Sequence, residues 1–237
     1  FFKLAIRNYQ KVDYPRDKLE WIIVEDSLDE SVEDILPPDN NIKYYRLEET
    51  KTIGYKRNFA CEKASHDIIV CMDDDDYYQP GNIKYRVACL EHLQKDVVAC
   101  TSMGILDINK IISNMSVSSF IQEYYTRSYE SSFGFRKSFW LNHKFSDTNI
   151  HEGEGLLKGN LKHFEEIIYQ PIMVSLKHYG NTNRRITMKG ETNGCHFNFS
   201  DELFELIANL DKDDDTVDKN KSKLNKVIKN KDLKNNA

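Results

Sequence analysis

The segment Ile68-Ile69-Val70-Cys71-Met72-Asp73-Asp74-Asp75-Asp76-Tyr77-Tyr78-Gln79-Pro80 runs five apolar residues straight into four consecutive acids. An unbroken apolar run of this length, rich in β-branched side chains, predicts a strand buried on both faces, of the kind found in a mostly parallel sheet covered by helices. The acids then stand at the carboxyl end of that strand. In open α/β sheets the loops diverge there and leave a crevice in which ligands bind. Adjacent carboxylates repel one another, so the cluster calls for a cation or for hydrogen-bond donors. Oxygen-only ligands suit Mg²⁺ or Mn²⁺, and Mg²⁺ is usually held by one or two carboxylates together with substrate phosphates. A solvated acidic turn is the plain alternative.

Two other acidic loops are weighed. A calcium loop of the EF-hand type, counted from Asp73, requires Gly and Glu where Tyr78 and Lys84 stand, and is excluded. A phosphatase with an aspartyl nucleophile also opens with Asp-x-Asp after an apolar strand, but Tyr77 occupies a position where Thr or Val is expected. A non-catalytic acidic binding module is the third possibility. At 237 residues the chain is long enough for one α/β domain with a sizeable core, or for one domain with a tail. Its net charge of −5 gives no general reason to expect nucleic acid as a partner. No apolar stretch approaches the ~20 residues of a membrane span. The five cysteines, Cys61, Cys71, Cys89, Cys100 and Cys195, are scattered and lack Cys-x-x-Cys spacing. Buried free thiols in a reducing, cytoplasmic compartment are the expectation.

Along the chain, strands and helices alternate. Phe2, Ala5, Ile6 and Tyr9 define one face of an opening amphipathic helix. Leu19–Val24 is a second core strand that again ends in acids, Glu25 and Asp26, and Ile42–Leu47 is a shorter one. Gly54 opens a helical segment with Lys56 and Arg57 in its first turns, where cations oppose the helix dipole; they are expected to pair with phosphates or acids, an ordinary solvated face being the alternative. A helix follows Pro80 to about Gln94, then a short strand Val97–Cys100 and a less regular hairpin within Ile105–Met115. Beyond it the pattern changes to aromatic bulk and to His151-Glu152-Gly153-Glu154-Gly155-Leu156-Leu157, a loop feeding a short helix. The glycines there admit backbone or ligand, although acids in a first helical turn are also routine dipole complements. Late strands Phe164–Tyr169 and Ile172–Leu176 precede His178, either a metal or phosphate contact or a structural histidine. Glu202–Leu210 is read as the last helix, and residues 211–237 as a charged, disordered tail.

The series Leu19-Glu20-Trp21-Ile22-Ile23-Val24-Glu25-Asp26-Ser27, then Gly54 with Lys56-Arg57-Asn58, then Met72-Asp73-Asp74-Asp75-Asp76 with Pro80, resembles the family 2 glycosyltransferases of GT-A fold over roughly residues 1–200. The resemblance implies a single α/β domain, Rossmann-like, over residues 1–210. Its nucleotide-sugar half would be about 1–101 and its acceptor half about 102–210. It implies transfer of a sugar, with inversion, from a nucleotide-diphosphate sugar to a glycan, protein or lipid hydroxyl, dependent on Mn²⁺ or Mg²⁺. By resemblance the metal falls to Asp73 and Asp75; His178, from its place at the end of a late strand, is the further expected ligand. Glu25, Asp26, Lys56, Arg57, Asn58, Asp73 and Asp74 surround the nucleotide sugar. The acid pair of the late helix corresponds to Glu152-Gly153-Glu154. Glu154, flanked by Gly153 and Gly155, is the expected base, with room beside it for an acceptor hydroxyl, and Glu152 orients it. The family's first strand would precede Phe1, so the edge next to Leu19–Val24 is expected to lack a neighbour.

Overall fold

The computed structural model describes residues 1–28, 31–117, 123–181, 197 and 199–210. The expected tail 211–237 and Cys195 lie outside the described residues. Among the described residues no helix is long and apolar enough to cross a membrane.

The elements in chain order are α1 (Phe2–Lys11), β1 (Trp21–Glu25), β2 (Ile42–Arg46), α2 (Ile53–Lys63), β3 (Ile68–Val70), β4 (Tyr77–Tyr78), α3 (Asn82–Leu93), β5 (Val97–Ala99), β6 (Ser102–Asp107) and β7 (Ile112–Val117). They continue with α4 (Tyr124–Arg127), β8 (Gly134–Arg136), α5 (Lys137–Trp140), α6 (Glu154–Leu157), β9 (Phe164–Glu166), β10 (Met173–Lys177) and α7 (Asp201–Ala208). The packed face of α1 is Leu4, Ala5, Asn8 and Tyr9, turned slightly from the expected one. The turn follows from Asn8, whose side chain donates to the Asp76 carbonyl at 2.8 Å and accepts from the Tyr78 N–H at 3.3 Å. A polar residue thus joins the buried face because both ends of its amide are satisfied.

Three sets of strands form the sheet layer: β1–β2, β3–β8–β5–β9 and β4–β10–β6–β7. The α/β, GT-A-like architecture is present, with mixed pairing. β1–β2, β5–β9 and β6–β10 are parallel, whereas β8 enters antiparallel between β3 and β5. This places the amino end of β8 beside the carboxyl end of β3, with Gly134 opposite Val70. β3 stops two residues short of the apolar run because Cys71 keeps only half of its ladder pairing, the Phe133 N–H turning instead to the Glu130 carbonyl at 3.1 Å. The Cys71 N–H bonds the Phe133 carbonyl at 2.9 Å, and Arg86, fully buried, donates to the Cys71 and Phe133 carbonyls at 2.8 and 3.0 Å. The core under this junction is aromatic, with Phe133, Phe135 and Trp140 packed on Leu156 and Leu157, all at most 1% exposed.

Among the described residues β1 pairs only with β2, and β3 only with β8. A cleft of about 1580 Å³ runs between the two facing edges. Ile22 and Val24 line one wall, Ile68 and Val70 the other, and its open end carries Asp26, Arg57, Asp73, Asp75 and Glu152. Three of the cysteines, Cys61, Cys71 and Cys100, are buried and free, and burial pushes each thiol up, that of Cys71 to about 11. They are neutral core residues.

Candidate active site

The acidic loop after β3 is held from three directions. The Asp73 N–H donates to Tyr78 Oη at 2.8 Å, and that hydroxyl donates onward to the Ser131 carbonyl at 2.9 Å. Asp76 is fully buried and accepts from Ser175 Oγ and the Leu176 N–H at 2.9 and 2.8 Å, which pins the loop to β10. Asp75 Oδ2 accepts from Asn181 Nδ2 at 3.1 Å and lies 3.0 Å from His178 Nε2. One carboxylate oxygen from each of Asp73, Asp75 and Asp76 falls within 4.8 Å of the others, a set of hard oxygen donors suited to Mg²⁺ or Mn²⁺. Asp74 stands exposed at the rim of the cleft. Protein atoms crowding its carboxyl, then the charges of Asp75 and Asp73, hold it above the ordinary carboxylate range.

The second wall comes from the first turns of α2. Thr52 caps the helix, its side chain accepting from the Tyr55 N–H. Arg57 then reaches two acids at once, donating through one terminal nitrogen to Asp73 at 2.8 Å and through Nε to Glu152 at 3.0 Å. Burial works against the charge of Arg57, but Asp73 first and then its other neighbours, Glu152 among them, outweigh it, and the guanidinium stays firmly protonated. One residue earlier Lys56 pairs with Asp26 at 2.8 Å, and the Lys51 N–H donates to the same carboxylate at 2.9 Å. Partial burial alone would raise Asp26; Lys56 and the Lys51 N–H reverse the balance and hold it below the usual range. The cations that oppose the dipole of α2 are therefore matched by acids, one of the two partners the sequence suggested. Glu25 accepts from Tyr44 Oη and from the Val32 N–H, so it braces the turn after β1 while lining the cleft.

Two of the expected site residues make their contacts away from the cleft. Asn58 faces away from the cleft: its amide donates to the Phe145 carbonyl at 2.9 Å and accepts from Trp140 Nε1 and the Phe145 N–H, both at 3.0 Å. Its side chain clamps residues 140–145 to α2. The space beside Gly153 and Gly155 is also filled. A Cβ on Gly155 would meet the Lys144 carbonyl oxygen at 2.1 Å and one on Gly153 would meet Phe133 Cζ at 2.8 Å, so these glycines admit backbone and core rather than a ligand. Glu154 pairs with Lys158 at 2.6 Å and is absent from the cleft lining, whereas Glu152 lines it and is 4% exposed.

Glu130 is a cleft residue that the sequence did not single out. Burial, then the charge of Glu152, pushes its carboxyl up to about 8. Glu130 precedes β8, whose antiparallel entry brings its amino end to the edge at which β3 ends. His151 lines the cleft as well and holds a left-handed backbone, φ 55°, a conformation disfavoured for a residue with a Cβ.

The strand ends, the acid cluster and the cation-bridged wall define an α/β chain of the GT-A kind with its acids gathered in one cleft. The chain belongs to glycosyl transferase family 2, whose model matches residues 5–149. Solved structures agree on the fold. The Staphylococcus aureus protein TarS, residues 1–349 in complex with UDP-GlcNAc, is similar at a TM-score of 0.56 and 17% identity, covering 90% of this chain and 64% of that one. TarS 1–349 with UDP gives 0.58 and 16%, covering 75% and 56%. The mannosyltransferase PcManGT from Pyrobaculum calidifontis, with GDP-Man and Mn²⁺, gives 0.54 and 17%, covering 73% and 52%. This chain therefore spans between about half and two thirds of the length of these relatives. No curated protein matches it significantly.

Proposed function

We propose that the cleft binds a nucleotide-diphosphate sugar and that the chain transfers the sugar to an acceptor hydroxyl with inversion at the anomeric carbon. The observation that carries this reading is the bridge Asp73–Arg57–Glu152, which ties the acid cluster at the end of β3 and a second, buried carboxylate to one guanidinium. Two separate acidic functions in one cleft are what sugar transfer from a diphosphate requires. Asp73 and Asp75, with His178 beside Asp75, are the residues that would hold Mn²⁺ or Mg²⁺. The bound ion would neutralise charge on the leaving diphosphate. The UDP, UDP-GlcNAc and GDP-Man carried by the similar structures support a nucleotide-sugar donor. Asp26, Lys56 and Glu25, on the wall formed by β1 and α2, are assigned to the nucleotide, and Asp74 at the rim to its ribose.

The acceptor oxygen attacks the anomeric carbon and the bond to the diphosphate oxygen breaks with its electron pair on that oxygen. The hydroxyl proton passes to Glu152. Attack from the face opposite the leaving group inverts the centre, as in hydrolases in which a base activates water. Glu152 replaces Glu154 in this role because it lines the cleft, while Glu154 is engaged with Lys158. Screening nucleotide sugars for Mn²⁺-dependent hydrolysis or thermal stabilisation identifies the donor, since a ligand bound only by the folded state raises apparent stability. With that donor, Glu152→Gln should keep donor affinity nearly intact and lower transfer about 10²–10⁴-fold, the usual contribution of general-base catalysis. Glu154→Gln should lose far less. If Glu154→Gln is the inactive variant, the two roles are exchanged.

A further inference from the structure

At the end of the ladder between β3 and β8 a side chain replaces a backbone partner. In the antiparallel register Ile68 faces Arg136, Ile69 faces Phe135 and Val70 faces Gly134, so the same count sets Cys71 opposite Phe133 and Asp73 opposite Ser131. Hydrogen-bonded pairs recur at every second residue of an antiparallel ladder. The Lys137 N–H bonds the Asp67 carbonyl at 2.7 Å and the Cys71 N–H bonds the Phe133 carbonyl at 2.9 Å, which makes Asp73 and Ser131 the next pair of the series. The Tyr78 hydroxyl takes the place of their direct bond, accepting from the Asp73 N–H at 2.8 Å and donating to the Ser131 carbonyl at 2.9 Å. Two bonds in series stand where a ladder has one, so the two chains part here more widely than paired strands do.

We propose that Tyr78 is a positioning residue for Asp73, its hydroxyl inserted into the ladder as a spacer that sets how far the first acid of the loop stands from the segment carrying Glu130 and Ser131. The inference rests on the assignment of Asp73 and Asp75 to a divalent cation given above. The phenol ring is held on several sides. Tyr78 is 2% exposed, its backbone pairs with Met173 of β10, its N–H donates to Asn8 Oδ1 at 3.3 Å, and the Arg86 guanidinium lies 5.9 Å from the ring centre. A hydroxyl donates and accepts at once, so it alone satisfies an N–H and a carbonyl that have parted beyond each other's reach. The position of β4 is thereby passed to Asp73, which has left the strand. With its N–H held by Tyr78 and its carboxylate held by Arg57 at 2.8 Å, Asp73 is fixed at both ends. Asp73, Glu130 and Ser131 all line the cleft, so the width that this one oxygen sets is a width of the site itself.

Tyr78→Phe keeps the ring and removes the oxygen. Tyr77→Phe is its control: the side chain points to the opposite face of the same strand, and its hydroxyl donates to Gln79 Oε1 at 3.3 Å. UDP and GDP are titrated calorimetrically into wild type and both variants, each with and without Mn²⁺. For a nucleotide whose binding Mn²⁺ strengthens in wild type, Tyr78→Phe should weaken the Mn²⁺-dependent binding about tenfold, the lower part of the range for groups that orient a metal ligand, and should leave binding without Mn²⁺ within about twofold. Its melting temperature should fall by about 5 °C, as buried polar groups lose a partner. Tyr77→Phe should keep the Mn²⁺ dependence of wild type. A Tyr78→Phe chain that melts lower yet binds with unchanged Mn²⁺ dependence overturns the positioning role. Amide hydrogen exchange on the wild-type chain tests the insertion even if Tyr78→Phe does not fold: the Asp73 N–H should exchange about as slowly as that of Cys71, although it lies beyond the strand, and exchange at the rate of an open loop overturns the proposal. Wild-type binding of UDP and GDP that is indifferent to Mn²⁺ would instead defeat the metal assignment, and the positioning role with it, whatever the exchange of Asp73 shows.

Discussion

Asp75 and Asp76 are neighbours in the chain with opposite surroundings. Asp75 faces Asn181 and His178 at the cleft, and Asp76 is sealed against β10. Removing the Asp76 carboxylate strands the Leu176 N–H and Ser175 Oγ in the core, and a charged hydrogen bond lost with a buried donor left unsatisfied amounts to about 3 kcal/mol. Asp76→Ala should lower the urea midpoint accordingly, whereas Asp75→Ala should stay within about 1 kcal/mol of wild type, as surface changes do. Equal losses in the two variants would contradict the division. His178→Ala should weaken Mn²⁺-dependent nucleotide binding, by less than the loss of Asp75 does; unchanged binding would make His178 structural. That the run 73–76 forms a site could be read from its place after an apolar strand. Which acid anchors it could not, because the partners of Asp76 lie 99 and 100 residues further on.

At the level of elements, the cleft depends on how closely α2 approaches residues 146–152. The Gly54 N–H bonds the Thr148 carbonyl at 3.0 Å, and a Cβ on Gly54 would sit 1.8 Å from the Ser146 carbonyl oxygen. The obstacle is backbone rather than a flexible side-chain end, so the helix or the segment must move. Gly54→Ala is expected to destabilise by about 3 kcal/mol, the upper part of the range for overpacking. It should also weaken nucleotide binding, since Arg57 and Lys56 sit on the turn that shifts. Chemical denaturation and calorimetry on the same sample check both, and a variant with unchanged stability would show that the contact relaxes without effect. The elements themselves were largely legible from hydrophobic period and turn chemistry: β5, the β6–β7 hairpin, α3 and α7 fall within a few residues of expectation. The direction of β8 was not, because three residues, Gly134–Arg136, carry no signal of parallel or antiparallel pairing. Glu130 was missed for that reason.

For the whole molecule, the ordered series of motifs was enough to indicate the family and the α/β architecture, and the family match over residues 5–149 agrees. The acceptor-side geometry was less legible. The segment around Glu152 and Glu154 takes its shape from long-range packing against Phe133, Lys144 and Ser146, and two acids separated by one glycine read alike until that packing is seen. The central claim is that the acids after β3 join a divalent cation to the diphosphate of a nucleotide. It is tested most directly by titrating UDP and GDP calorimetrically into the wild-type chain and into Asp75→Asn, each with and without Mn²⁺. The account predicts that Mn²⁺ strengthens binding of at least one of the two nucleotides to wild type and has no effect on Asp75→Asn, whose melting temperature stays near that of wild type. Mn²⁺-dependent binding of the same strength in the Asp75→Asn variant would contradict it.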